Sequence, residues 1–378
     1  MLFPLLLRPA LRRRCALLPR LSPLAPVRAS HSSSLTPKVH CYISKSADPY
    51  TNLAFEDWLL RTSDPNSFIL YLWRNRPTIV IGRNQNPWKE CNLDMMADRD
   101  VWLARRSSGG GTVYHDLGNT NYTVLMPRDA FTRNWCAEMV ARALHQLDIP
   151  AYVNARHDVA VDDLKISGSA FKLTRNRAFH HGTMLIDADL SRLHGCLHSR
   201  NKDTIEAKGV DSVRSRVANL REYSLSIDHS SFCGAVMHEF ATKFDCELDG
   251  KSDSVTVWDD GSADVAELVR KERRRISQWD WLYGQTPEFI HRFHSHFTWA
   301  TVFGSIAARH GRISKAEIST SASALQPPVG ACKAFAAISR LLHNARYHKD
   351  DIRSCLQPLI AEGDPYAIQL CEWVVAQI

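Results

Sequence analysis

No acidic residue occurs in the first 37 positions, no run of about 18 apolar residues occurs anywhere, and the ten cysteines form no CxxC pair. The missing apolar run excludes a transmembrane helix. Without paired cysteines or a Cys/His cluster at ligand spacing there is no zinc motif, and scattered free thiols point to a reducing compartment. Two nucleotide signatures are missing as well: neither GxxxxGK[ST] nor GxGxxG is present, which removes the Walker loop and the dinucleotide fold.

What is present is an ordinary globular composition, 44% hydrophobic and 23% charged over 378 residues, long enough for one large domain or two. The net charge is +7, and six of those charges are Arg8, Arg12, Arg13, Arg14, Arg20 and Arg28, leaving +1 on the remainder. A broad nucleic-acid footprint is therefore not expected. Residues 1–37, rich in Arg, Ser, Leu and Pro and free of acid, have the composition of a mitochondrial transit peptide and predict a matrix protein.

The body alternates short strands with amphipathic helices. "NLAFEDWLL" and "WCAEMVARALHQLDI" read as helices, and "FILYLWRN" with "TIVIGRN" as a buried strand pair turning through Arg76-Pro77. "DVAVDDLKISGSAFK" reads as a hairpin around Asp162-Asp163, and "FHHGTMLIDADLSRL" as a strand entering a helix capped by Asp187 or Asp189. Residues 249–262 read as loop. After a charged helix containing "KERRR", read as a solvated face, the pattern restarts with strands around "RHGR" and two closing helices. A boundary in the 270s to 280s divides the chain into 38–275 and 283–378.

Two stretches carry chemistry. "RRSSGGGTVY" joins a strand to a strand, and three glycines let backbone N–H groups approach an anion beside Arg106 and Ser107. In "LKISGSA", strand alternation puts Lys165, Ser167 and Ser169 on one face, a lysine among small residues with space for a ligand at its ammonium. His180 and His181 are adjacent strand residues and point to opposite faces, so they make a poor metal pair: one packs, the other is free to hydrogen-bond.

The blocks "WRNRPTIVIGRNQNPWKECN", "LARRSSGGGTVYHDLGNTN", "KISGSAFK", "FHHGTMLIDADLSRL" and "AKGVDSVRSRVANL", in that order, resemble the lipoate–protein ligase A and mitochondrial lipoyltransferase family. The resemblance implies an α+β catalytic domain of the biotin/lipoate ligase kind, like class II synthetases, followed by a small C-terminal α/β accessory domain. It implies attachment of lipoate to a lysine of lipoyl domains, in 2-oxoacid dehydrogenase E2 subunits and glycine cleavage H protein, through lipoyl-AMP made with ATP and Mg²⁺. Lys165 would touch carboxylate and phosphate, while Arg106, Ser107, Ser108, Gly109, Gly110, Gly111, Thr112, Val113 and Tyr114 would hold the adenylate. By the same match Arg83, Asn86, Arg156, Asp158, His181, Thr183, Ala207, Lys208 and Gly209 join the pocket; metal ligands are unassigned.

Alternatives stand beside the ligase: a lipoyl amidotransferase using lipoyl-AMP or a lipoylated donor protein, an octanoyltransferase, and a binding protein that keeps only the pocket. The octanoyltransferase needs a nucleophilic cysteine. None lies in the glycine, Lys165 or His180 blocks, and Cys196 reads as a packed thiol.

Overall fold

A computed structural model of the chain describes residues 38–248, 254–259, 263–321 and 327–378; the expected transit peptide lies outside them. The chain opens with β1 (Val39–Ser44), α1 (Pro49–Thr62), β2 (Phe68–Trp73), β3 (Thr78–Ile81), α2 (Pro87–Glu90), α3 (Leu93–Asp98) and β4 (Trp102–Arg105). After the glycine loop come β5 (Val113–His115), β6 (Asn119–Pro127), α4 (Arg133–His145), β7 (Tyr152–Val153), β8 (Val159–Val161), β9 (Leu164–Ser167), β10 (Ser169–Leu173) and β11 (Arg177–Leu185). Then follow α5 (Leu190–Cys196), β12 (Ile205–Ala207), α6 (His229–Phe244), β13 (Val255–Trp258), α7 (Ala263–Ile276) and α8 (Trp279–Leu282). The chain closes with β14 (Phe289–His296), β15 (Thr301–Arg309), β16 (Arg312–Thr320), α9 (Val329–Leu341), α10 (Lys349–Ala361) and α11 (Pro365–Ala376).

Six strands in the order β10-β11-β6-β2-β1-β13 form the main sheet. Period-2 alternation divides its side chains: Leu70, Leu72, Tyr122, Val124 and Met126 pack with α4 and α6, while Ile69, Tyr71, Trp73, Leu125 and Phe179 pack with residues of α1 and α7. Asp48 caps α1 by accepting from Thr51 N, and Pro49 occupies the first helical position. Asp162 and Asp163, both at positive φ (48° and 61°), make the tight turn of the β8–β9 hairpin, and Asp189 rather than Asp187 caps α5.

Three expectations are corrected. The strands "FILYLW" and "TIVI" do not pair: β2 lies in the main sheet, and β3 lies between β4 and β5 in a separate three-stranded sheet. Arg76-Pro77 therefore carries the chain from one sheet to another. Within the stretch read as loop, Val255–Trp258 forms β13 and pairs parallel with β1, a tertiary partner that local composition does not announce. Three helices, not two, end the chain. The run "KERRR" in α7 keeps Lys271, Arg274 and Arg275 exposed, as a solvated face does, while Arg273 pairs with Asp48 at 2.7 Å and Arg275 lies over Trp281.

The last 90 residues build a second core on a sheet ordered β12-β14-β15-β16. Two pieces of this core come from earlier in the chain. Strand β12 supplies its edge, and Trp88 of α2 inserts beside Tyr283, Phe289 and Tyr347.

A buried polar clasp adds to this link between the two cores. Arg105, 1% exposed, donates Nε and Nη2 to Leu282 O (2.9 and 2.7 Å), Nη2 to Thr286 Oγ1 (3.0 Å), and Nη1 to Gln85 O (2.8 Å) and Arg83 O (3.1 Å). Burial, and then the neighbouring Arg83, pull its pKa down to about 9. Arg105→Met leaves several buried oxygens without donors, and chemical denaturation should register a loss of about 2–4 kcal/mol. A loss below about 1 kcal/mol would mean that water replaces the clasp at little cost.

Candidate active site

β4 and β5 carry the ends of the glycine loop, and Arg106 organises it from within. The side chain is 5% exposed and donates Nη1 to Val80 O (3.0 Å), Nε to Ser108 Oγ (2.9 Å), and Nη2 to Gly109 O (2.6 Å) and Gly111 O (2.7 Å). Gly110 sits at φ +88°, and a Cβ there would stand 3.0 Å from Arg106 Nη2, so the loop needs glycine both for its backbone and for its packing. Burial pulls Arg106 down to about 10, with Glu56 opposing.

Ser108 Oγ meets His181 Nε2 at 2.9 Å, and His181 Nδ1 meets Glu56 Oε1 at 2.8 Å. The assignment that satisfies every group has neutral His181 donating Nδ1–H to the carboxylate and accepting the Ser108 proton. His180 faces the opposite side beside Tyr122, with neither nitrogen paired among the described residues, and burial takes it to about 3. The two histidines divide as strand geometry requires.

Lys165 stands at a junction. It lines both a cavity of about 330 Å³ and a second of about 310 Å³, and so do Thr112, Val113, Gly168, Thr183, Ser212 and Val213. The first continues to Leu53, Trp73, Val80, His115 and His181; the second continues to Tyr114, Leu185, Leu193, Leu197 and Arg214. Lys165 Nζ pairs with Asp158 at 2.8 Å, and its backbone is held by Arg216 O (2.9 Å).

The expected alternation through "KISGS" stops at Gly168. Strand β9 ends at Ser167, whose hydroxyl bonds Tyr122, and β10 begins at Ser169 in another sheet. A Cβ on Gly168 would lie 2.8 Å from Lys165 Cε. Thr183 holds this corner, its N donating to Gly168 O (2.9 Å) and its Oγ1 accepting from Gly168 N (3.2 Å).

Not every expected residue reaches the cavities. Asn86 is the buried N-cap of α2, accepting from Trp88 N and Lys89 N. Arg83 bonds Gln285 and lies over Trp281. Ala207 ends β12, Lys208 pairs with Glu288, and Gly209 abuts Asn84 O; none of them lines either cavity, whereas Val210, Asp211, Ser212 and Val213 just beyond do. Ser107, Ser108 and Gly109 are also absent from the lining, Ser108 acting through Arg106 and His181. Arg156, exposed, and Asp158 line the first cavity, and Tyr114 the second.

The chain as a whole is similar to known proteins. The family described as lipoyl protein ligase A/B catalytic domain matches residues 48–241. A lipoate-protein ligase A of Psychrobacter cryohalolentis is 37% identical over 341 residues, covering 89% of this chain and 98% of the relative. The chain belongs to the lipoate–protein ligase family. Among solved structures, P. falciparum LipL1 in complex with lipoate is 27% identical, with a TM-score of 0.56 over 89% of this chain and 99% of that one. The bipartite lipoate protein ligase of Thermoplasma acidophilum, solved in a study that includes its E2 lipoyl domain, shares the fold at 22% identity and a TM-score of 0.54, over 65% of this chain and 96% of that one.

Sequence reasoning passed over three groups of this ligase-family site. Gln85 Oε1 accepts from Gly82 N and Thr112 Oγ1 (both 2.9 Å), while its Nε2 reaches Ser212 Oγ (3.0 Å) and Val210 O (3.2 Å), tying the glycine loop to the 210–213 segment. Ser212 in turn donates to Glu90. Glu56 had a usable signal: a carboxylate between apolar neighbours of an amphipathic helix needs a buried partner. Gly168→Ala pushes the Lys165 ammonium aside, and ligase activity should fall about tenfold or more while the melting temperature moves only a few degrees. Unchanged turnover would show that the lysine need not occupy this position.

Proposed function

We propose that the protein joins lipoate to ATP, forming lipoyl-AMP and pyrophosphate, and passes the lipoyl group to a lysine of lipoyl domains in 2-oxoacid dehydrogenase E2 subunits and glycine cleavage H protein. One observation carries this reading: Lys165 puts a single ammonium where two cavities meet, one suited to an acyl chain and one to a nucleoside. The arm toward Leu53, Trp73 and Val80 takes the chain. The arm toward Tyr114, Leu193, Leu197 and Arg214 takes the adenosine side.

In the first half-reaction a carboxylate oxygen attacks the α-phosphorus and the bond to pyrophosphate breaks. Negative charge gathers between the two reacting groups, and Lys165, turning from Asp158, lies on it. In the second half-reaction the acceptor amine attacks the carbonyl carbon, gives up a proton, and AMP leaves. The protein supplies position and fixed charge and needs no nucleophile of its own.

Arg106 spends most of its N–H groups on the loop it shapes and lines the first cavity at the same time, so it stays beside the reacting groups as the sequence suggests. Arg156 and Arg214, two of the solvent-reaching cations at the cavities, serve the phosphates. Among the described residues no three His, Cys, Asp or Glu gather into a metal-sized group. Mg²⁺ fits this site as a partner of the ATP phosphates, as it commonly binds, with few protein ligands.

Purified protein, ATP, Mg²⁺, lipoate and an apo lipoyl domain should yield the lipoylated acceptor mass and released pyrophosphate. Lys165→Met should lower the rate by about two to three orders of magnitude without unfolding the chain. Lipoylation from supplied lipoyl-AMP or a lipoylated donor alone, never from free lipoate with ATP, would replace the ligase with the amidotransferase. Residues 1–37 serve, in the same proposal, as the address to the mitochondrial matrix: fused to a fluorescent reporter they should carry it there, and a cytosolic reporter would refute the address.

A further inference from the structure

The acyl arm contains a polar group that the chemistry above leaves unused. His115, 3% exposed, lines the cavity beside Trp73, the ring centroids 5.8 Å apart at 73°. Its Nδ1 meets Asn75 Nδ2 at 2.9 Å, and Nε2 has no partner among the described residues.

The proton on this ring can be located by elimination. Asn52 Nδ2 faces two backbone carbonyls, Ser46 O and Arg74 O (both 2.9 Å), which can only accept, so that nitrogen is a donor. Asn75 Oδ1 lies 3.0 Å from the same nitrogen; an amide nitrogen in its place would set donor against donor, so the Asn75 amide turns its nitrogen toward His115. A primary amide nitrogen only donates, so His115 Nδ1 must accept, and the ring proton sits on Nε2. Burial, then Arg106 and His181, hold His115 down at about 3, so the ring is neutral at any working pH. A buried backbone thus dictates, through two asparagines, that an N–H with no protein acceptor belongs to the lining of the acyl slot.

We propose that His115 is the residue that selects a sulfur-bearing acyl chain over a plain saturated one, by donating Nε2–H to a ring sulfur held against Trp73. This rests on the reading that this arm takes the chain. A divalent sulfur accepts a weak hydrogen bond and packs well at an aromatic ring, whereas a saturated chain end leaves the buried donor unsatisfied. Trp73 contributes its ring alone, since its own N–H is engaged by Thr123 Oγ1 at 3.2 Å. Asn75 is a positioning residue, acting only through the tautomer of His115.

The test compares kcat/KM for lipoate and for octanoate, each with ATP, Mg²⁺ and the same apo lipoyl domain, so that adenylation and acceptor steps cancel in the ratio. His115→Phe should lower the lipoate-to-octanoate ratio about tenfold, mostly through KM for lipoate. Asn75→Asp gives a signature that a merely structural role would not produce. Its carboxylate favours a proton on Nδ1 and, as an opposite charge at hydrogen-bond distance, raises the pKa of the ring above its wild-type place, so the lipoate preference should survive at low pH, where the ring is doubly protonated, and fall as pH rises and Nε2 is left bare. The wild-type ratio should stay flat over the same range. If the free acids are not activated, lipoyl-AMP and octanoyl-AMP replace them and the ratio is read in the same way. A ratio unchanged by His115→Phe, or unchanged with pH in Asn75→Asp, overturns the assignment. Wild-type protein that transfers neither chain from either source overturns the function proposed above.

Discussion

Two guanidinium groups, one peptide bond apart and both buried, are satisfied almost wholly by carbonyl oxygens. Strand alternation sends Arg105 and Arg106 to opposite sides of the end of β4, one into the clasp on the C-terminal part and one into the glycine loop. A cation without a carboxylate is costly to bury, and only a dense set of preplaced oxygens offsets that cost. The loop, the linker at Leu282 to Thr286 and the 83–85 turn are each held where these two side chains need them. The site is therefore shaped from behind by Arg105, and at its wall by Arg106, which also lines the first cavity.

The reactive region is correspondingly layered. Around the ammonium of Lys165 lie small residues and open space, and around those lies a web of fixed donors: Gln85 to Ser212, Ser108 to His181 to Glu56, Asn52 to Asn75 to His115. Each chain ends on a backbone carbonyl or a carboxylate whose hydrogen-bonding sense cannot reverse, so orientation passes inward without ambiguity. Such preorganisation suits a reaction in which no protein atom forms a bond to substrate.

Much of this was legible in the sequence wherever the determining interaction is local. The Asp162-Asp163 turn, the helices and the opposition of His180 to His181 follow from backbone geometry and period alone. The family motifs carried the position of Lys165. What escaped depends on distant partners. β13 is a strand because β1 offers it an edge, and β2 and β3 part because the small sheet supplies β4 and β5 to pair with β3. Asn86 and the Ala207 to Gly209 segment lie inside motif blocks yet serve capping and sheet edge, because a motif records what a region needs, its scaffolding included. Gln85, Ser212 and Asn75 had no signal, being ordinary polar residues whose meaning lies in what folds against them.

The corner at Gly168 has a mechanical consequence. Lys165 stands on the small β7-β8-β9 sheet, whereas Ala170 and His181, on the acyl side of the cavity, belong to the six-stranded sheet, and the single residue between β9 and β10 has no side chain. The ammonium and the wall of the acyl slot are thus mounted on two separate plates sharing one bare joint. The spacing of the two sheets thus sets the width between the ammonium and that wall.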